Sequence, residues 1–209
     1  PQGGPLSGLL TNWALLGLEE HIVKNRKHTF RVDGKTFAWK IIIIRFADDI
    51  RIVHRDKGVI VECLEQLQEF LSTIGLNLNQ EKTRIVNIMD GTDFLGFTIR
   101  QFNTDPKNKK SRNDFTTIIK PSKKAIQRHG THLKSIINYH NARTQSELIN
   151  SLNPVIRGWA NYYSTENSKA SYSKMDHLLF IKLVRWAKRR HGNKSWQWIK
   201  AKYFNNGAP

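Results

Sequence analysis

The chain is 209 residues long and 39% apolar, enough for one large or two small domains with a real core, which excludes a disordered or low-complexity protein. Its formal charge of +17 is lopsided: residues 1–100 carry 13 basic and 12 acidic side chains, whereas residues 101–209 carry 21 and 5. Basicity concentrated in one half points to a polyanion partner, RNA or DNA, while the lone Cys63 excludes a disulfide framework and a cysteine-based zinc site and fits a reducing, intracellular compartment.

In chain order, Pro1 to Ser7 reads as a Gly/Pro loop in which Gly3 and Gly4 let the backbone approach a ligand. Leu9, Leu10, Trp13, Leu16 and Leu18 then recur at a spacing that predicts an amphipathic helix lying over a sheet. Residues 24–40 alternate weakly around Asp33-Gly34 and predict two short strands. The centre of this half is the stretch 41–53. There four isoleucines, Arg45 and Phe46 lead into Ala47-Asp48-Asp49 and a second β-branched run, the pattern of a hairpin. Four consecutive isoleucines predict a strand covered on both faces, with its acidic tip in the floor of a cleft. Adjacent carboxylates are costly to hold together without a hard cation, and Mg²⁺ shared with substrate phosphates suits such an oxygen site. The other reading of Asp48-Asp49 is a plain surface turn.

Residues 59–74 predict a core-facing helix, with Val61, Leu64, Leu67, Phe70, Leu71 and Ile74 inward and Gly75 ending it. Strands are expected at 76–88 and again at 94–99. A polar, Lys-rich segment follows, beyond which acidic residues almost vanish and helical periodicity takes over. The first helix there, 123–141, sets Ile126, Leu133, Ile136, Ile137 and His140 along one face, with Lys123, Lys124, Arg128 and Lys134 elsewhere. Thr144-Gln145-Ser146-Glu147 has capping-box spacing and opens the next helix, which Pro154 is expected to bend or break. Trp159, Tyr162 and Tyr163 read as core aromatics. In the third helix, 172–190, Lys182, Arg185, Lys188, Arg189 and Arg190 lie mostly outward and form a phosphate track. A short helix at 195–204 carries Trp196, Trp198, Ile199 and Tyr203.

These residues carry a family resemblance. Phe46-Ala47-Asp48-Asp49 resembles the aromatic-x-Asp-Asp box of reverse transcriptases. Pro1-Gln2-Gly3 is similar to the Pro-Gln-Gly loop of group II intron-encoded enzymes. Gly75-Leu76-Asn77-Leu78-Asn79-Gln80-Glu81-Lys82-Thr83, Phe94-Leu95-Gly96-Phe97, Arg157-Gly158-Trp159-Ala160-Asn161-Tyr162-Tyr163 and the stretch from Arg185 to His191 follow in the family's order. The resemblance implies an α+β fold: the C-terminal part of a right-hand polymerase palm over 1–102, an antiparallel sheet with packed helices; a linker or hairpin over 103–119; and an all-α thumb or maturase (X) domain over 120–209. It implies Asp48 and Asp49 as Mg²⁺ ligands and catalytic residues, and Lys82 near the triphosphate. Gln2, Gly3 and Phe46 would stand beside the nucleotide, and Phe94, Leu95 and Gly96 at the primer end. It also implies structured RNA as partner, bound through Lys123, Lys124, Arg128, Lys182, Arg185, Lys188, Arg189 and Arg190.

In that family a further catalytic Asp precedes the Pro-Gln-Gly loop by several dozen residues. With the fingers it falls outside this sequence, which starts at Pro1 as a fragment or processed product would. The expectation is a site incomplete alone, completed by an upstream segment or a separate polypeptide. Two readings stand: the palm-thumb part of a reverse transcriptase/maturase that binds intron RNA for splicing, or a domesticated non-catalytic RNA-binding subunit of a larger ribonucleoprotein. Bacterial cytoplasm, mitochondrion and chloroplast are the compartments expected. No apolar run approaches the roughly 20 residues of a membrane span.

Overall fold

A computed structural model describes residues 4, 6–24, 29–32, 35–38, 40–104 and 115–204. The architecture is mixed α+β with antiparallel sheets, and the chain divides into two compact units, 1–85 and 86–209. Compactness thus divides the chain at 85, whereas composition shifts only past 102. The Pro-Gln-Gly loop residues Gln2 and Gly3 lie outside the described residues.

In the first unit, α1 (Ser7–Ala14) and α2 (Leu18–Val23) replace the single helix expected from the leucine spacing. Gly17 between them is left-handed (φ 84°) and redirects the chain. Burial therefore falls on Leu15, Leu18 and Ile22, while Leu9, Leu10, Leu16 and Trp13, the last 74% exposed, form an open apolar face rather than a cover for the sheet. Strands β1 (Thr29–Val32) and β2 (Lys35–Ala38) pair antiparallel with Val32 opposite Lys35, as the two short strands expected here require; the turn expected at Asp33-Gly34 lies outside the described residues.

Strands β3 (Ile42–Phe46) and β4 (Asp49–Val53) form the central hairpin, Phe46 paired with Asp49. Side chains alternate across a strand, and cross-strand partners share a face. Ile41, Ile43, Ile50 and Ile52 accordingly join the core with Val59, Cys63, Leu67 and Leu71 of α3 (Lys57–Thr73). Ile42, Ile44, Phe46 and Val53 are exposed on the other face. The expectation of a strand covered on both faces is thereby corrected. The isoleucine run is continuous in sequence, yet α3 and its neighbours cover one face only. The helix also turns differently from its periodicity. Val59, Cys63, Leu67 and Leu71 are inward, and Val61 and Ile74 are exposed. Asp56 caps the helix by accepting from the Gly58 N–H at 2.7 Å. Gly75 (φ 73°) ends it in a Schellman motif, with Leu76 N–H on Leu71 O at 2.8 Å and Gly75 N–H on Ser72 O at 3.1 Å. The strand expected at 76–88 is absent. Asn79 satisfies that backbone locally, its Oδ1 accepting from Glu81 N and Lys82 N and its carbonyl from Thr83 N.

In the second unit, β5 (Thr92–Phe94), β6 (Phe97–Asn103) and β7 (Phe115–Pro121) form an antiparallel sheet in that order. The strand expected over 94–99 is instead a hairpin, because Leu95 (φ 48°) and Gly96 (φ 83°) are both left-handed, the requirement of a tight two-residue turn. Helices α4 (Lys123–Tyr139), α5 (Gln145–Tyr163), α6 (Lys169–Arg190) and α7 (Trp196–Tyr203) follow. Leu133, Ile137, Leu148, Leu152, Met175, Trp186, Ala187 and Ile199 make their shared core. Thr144 and Glu147 form the capping box, and those hydrogen bonds hold the Glu147 carboxyl below its usual range. Pro154 does not break α5, which runs unbroken for 19 residues, held by the apolar face bearing Leu148, Leu152, Val155, Ile156 and Trp159. His140 is a satisfied core histidine: Nδ1 meets Ile136 O at 2.8 Å, Nε2 meets Ser151 Oγ at 3.1 Å, and its carbonyl accepts from Trp186 Nε1 at 3.0 Å.

Candidate functional site

The first set of candidate residues is gathered at the β3–β4 tip. Asp48 sits in the turn and Asp49 begins β4, both exposed. Ala47 is left-handed (φ 53°), a conformation that costs an alanine about 1 kcal/mol and tends to be retained where a turn aims functional groups. Phe46, 60% exposed, lies cross-strand from Asp49 on the open face. The stem is tied down from behind. Arg45 Nη1 donates to Asn12 Oδ1 at 2.8 Å and its Nε lies 3.9 Å from Glu19, joining β3 to α1 and α2. The stem is thus anchored to the helices while the acidic tip faces solvent.

The donor set can be weighed against Mg²⁺ directly. This ion usually takes one or two protein carboxylates and completes its shell with water and substrate phosphate. Asp48 and Asp49 supply that number on adjacent residues. Among the described residues no cluster of three or more His, Cys, Asp or Glu could hold a metal by itself. Lys82 is exposed in the Asn79 turn of the same unit.

The remaining candidates belong to the second unit. Leu95 and Gly96, in the turn that follows Phe94, meet two tyrosines of α5, a junction that sequence reading missed by treating both as separate core features. Tyr162 Oη donates to Leu95 O at 2.9 Å and Tyr163 Oη to Gly96 O at 3.3 Å. The Phe97 ring lies 5.3 Å from Tyr162 and 4.7 Å, edge-on, from Tyr163. Burial pushes the Tyr163 phenol above its ordinary value, keeping it protonated as a donor. A Cβ on Gly96 would fall 2.6 Å from Tyr163 Oη. Gly96→Ala should therefore cost about 2–4 kcal/mol, summing left-handed strain and overlap. Urea unfolding checks it, and Tyr163→Phe in the same chain should recover part of the loss by removing the overlapping atom. A Gly96→Ala chain within about 0.5 kcal/mol of wild type would refute the close-approach account.

Among the basic candidates, Lys123, Lys124 and Arg128 on α4 are exposed, as are Arg185, Lys188 and Arg189 on α6, with Lys182 half-buried. Arg190 is committed elsewhere: its Nη1 donates to Asn141 O at 2.8 Å and Arg143 O at 2.6 Å, and its guanidinium covers Trp186 at 4.8 Å. It therefore fastens α6 to the connection between α4 and α5. Trp159 stacks on His129 with ring centroids 4.6 Å apart, as the core reading of Trp159 expects. Both line a cavity of about 230 Å³ with Leu133, Met175 and Asp176. Burial, then His132, holds the His129 imidazole below its usual value, hence neutral near pH 7.

Comparison with known proteins adds three findings. Residues 1–99 match the family model for reverse transcriptase (RNA-dependent DNA polymerase). Residues 126–204 match that for the group II intron maturase-specific domain. A 63-residue stretch is 36% identical to the Gag-Pro-Pol polyprotein of Mason-Pfizer monkey virus, covering 30% of this chain and 3% of the polyprotein.

Proposed function

The chain belongs to the family of group II intron reverse transcriptases and maturases, and from that premise we propose that it is the palm-thumb part of such a protein, binding structured intron RNA for splicing and contributing the Phe-Ala-Asp-Asp half of a polymerase site. The observation that carries the RNA-binding part is the charged surface of α4 and α6. From 177 to 204 there is no Asp or Glu, while Lys182, Arg185, Lys188 and Arg189 extend along α6. Lys123 and Lys124 also occupy the first turn of α4, where the helix dipole disfavours cations, a placement tolerable on a surface that meets phosphates.

For catalysis, the tip residues divide the work. Asp48, projecting from the turn, is the direct Mg²⁺ ligand, and Asp49, held on β4, assists. Bound Mg²⁺ supplies Lewis-acid activation of a primer hydroxyl and charge neutralisation on the triphosphate. Phe46 presents its exposed ring beside Asp49 as a nucleotide contact. Lys82 places a mobile ammonium for the departing pyrophosphate, neutralising it or giving it a proton. Gln2 and Gly3 are assigned to the nascent pair and Phe94 to Gly96 to the primer end on resemblance. A further Asp and the fingers come from outside these 209 residues, in the same polypeptide or a separate one, and the compartment is a bacterial cytoplasm or an organelle. Among the described residues no helix is long and apolar enough to cross a membrane.

The test is a titration of the chain with a structured group II intron RNA and with a tRNA-sized control at about 50 and 200 mM salt. With six or more phosphate contacts, affinity should fall on the order of a thousandfold across that range. Affinity independent of salt, or no binding at the lower concentration, would overturn RNA binding as the function.

A further inference from the structure

Helix α7 is an eight-residue element that buries one side chain, Ile199. Its two tryptophans stay at the surface, Trp196 41% and Trp198 36% exposed, although tryptophan is ordinarily well covered. Each carries cations on its ring. Lys188 lies 5.8 Å from the Trp196 centroid, and Lys202 and Lys194 lie 4.8 and 5.6 Å from that of Trp198. No acidic residue between 177 and 204 neutralises these lysines, and none of them forms an ion pair among the described residues. The local potential registers on His191, which packs edge-on against Trp198 at 4.7 Å. Its imidazole is held below the usual value by burial and then by Lys202, Arg190 and Lys194.

We propose that Trp196 and Trp198 are stacking platforms for unpaired bases of the bound RNA, with Lys188, Lys194 and Lys202 taking the phosphates beside those bases. The proposal rests on the RNA-binding reading above and adds which part of the RNA this surface takes. Two requirements converge on it. The lysines lack an anion, which any polyanion could supply. Each exposed indole has a ring neighbour only edge-on or tilted, His191 at 67° to Trp198 and Phe204 at 43° to Trp196, so among the described residues neither is stacked face to face, a partner that an acidic protein surface does not supply and an unpaired nucleotide does. A paired A-form helix keeps its bases stacked inside, so it meets the lysines and not the rings. The geometry also supplies an exchange: an ammonium resting on an indole swings to an arriving phosphate and uncovers the face for the neighbouring base. Trp196 and Trp198 are two apart on a helix, roughly 200° around the axis, so they present two separate platforms rather than one sandwich.

The experiment uses the full chain and two RNA hairpins of equal length and charge, one closed by a minimal loop and one carrying a six-adenosine bulge. Trp196→Ala with Trp198→Ala, which removes two platforms, should weaken binding to the bulged hairpin by roughly 30-fold or more, leave the paired hairpin unchanged and leave the salt slope unchanged. Trp196→Tyr with Trp198→Tyr should retain most of the affinity, since a ring face remains; this aromatic pair controls for misfolding. Lys188→Ala with Lys202→Ala should weaken both hairpins and flatten the salt slope by on the order of 1.5 units. Equal affinity of the tryptophan-free chain and wild type for the bulged hairpin overturns the stacking site while leaving RNA binding intact. Equal losses on both hairpins, or tight binding of polyglutamate that depends on the two tryptophans, also overturn it. Failure of wild type to bind either hairpin overturns the RNA-binding reading itself.

Discussion

Asp48→Asn should abolish primer extension, by at least about a thousandfold, in a polymerase assembly that contains residues 1–209, and leave RNA affinity near that of wild type. Asparagine has the shape of aspartate and tolerates turn backbone, so the two-residue connection between β3 and β4 survives. Only the negative charge at the tip is lost. That charge is the part a hard cation needs, and a Lewis acid at the reacting oxygens is worth several kcal/mol. Asp49→Asn should cost less, because Asp49 is fixed on β4 opposite Phe46 rather than projecting from the turn. Single-nucleotide extension on a primed RNA template measures both. An Asp48→Asn enzyme that keeps more than about a tenth of its rate would remove Asp48 from the metal site.

The second large effect concerns affinity. Lys182→Ala, Arg185→Ala and Arg189→Ala together should weaken binding of structured RNA broadly and flatten the dependence of log affinity on log salt by roughly two units, since each lost phosphate contact is worth about 0.7–0.9. The three residues recur at helical spacing along α6, while Met175, Trp186 and Ala187 face the core. Stability should change little, because these cations repel one another; Lys182, half-buried, contributes mainly its aliphatic stem. Arg190 is left out because its two carbonyl contacts hold α6 to the connection between α4 and α5, and its loss would confuse folding with binding. Fluorescence titrations over a salt series decide the matter. An unchanged slope would move the RNA to another surface, such as that around Lys123 and Lys124.

Much of this was legible in the sequence because the signals were local. The capping box at Thr144 and Glu147 and the Gly75 stop each depend on a few neighbouring residues. The four helices after 120 follow from local signals, a pronounced amphipathic period in α4 and α5 and a Ser or Thr N-cap before α4, α5 and α7. What was not legible depended on partners distant in sequence. Four isoleucines in a row do not reveal that α3 covers only alternate members. The leucines of residues 9–18 keep helical spacing, but a left-handed Gly17 decides which of them is buried. Residues 76–88 carry β-branched side chains, yet an Asn79 side chain closes the backbone hydrogen bonds that a strand would have offered a neighbour. At the candidate site the acids were placed correctly at a hairpin tip. The role of Tyr162 and Tyr163 was missed because their phenol groups act on a turn 67 positions away.

That tyrosine junction bears on how such proteins can be cut and recombined. The helices after 120 look like a separable cassette by composition, and the lysine-rich connection before them looks like the seam. Yet β6 and β7 pair across that connection, Asn167 N–H reaches Ile119 O at 3.0 Å, and Tyr163 fills the space that Gly96 leaves open. A graft taken at the lysine-rich seam would split a sheet and strand two phenols without their carbonyls. The transplantable piece runs from residue 86 onward, carrying its own three-stranded platform, and exchanges between relatives that respect that boundary should keep the helices in working order.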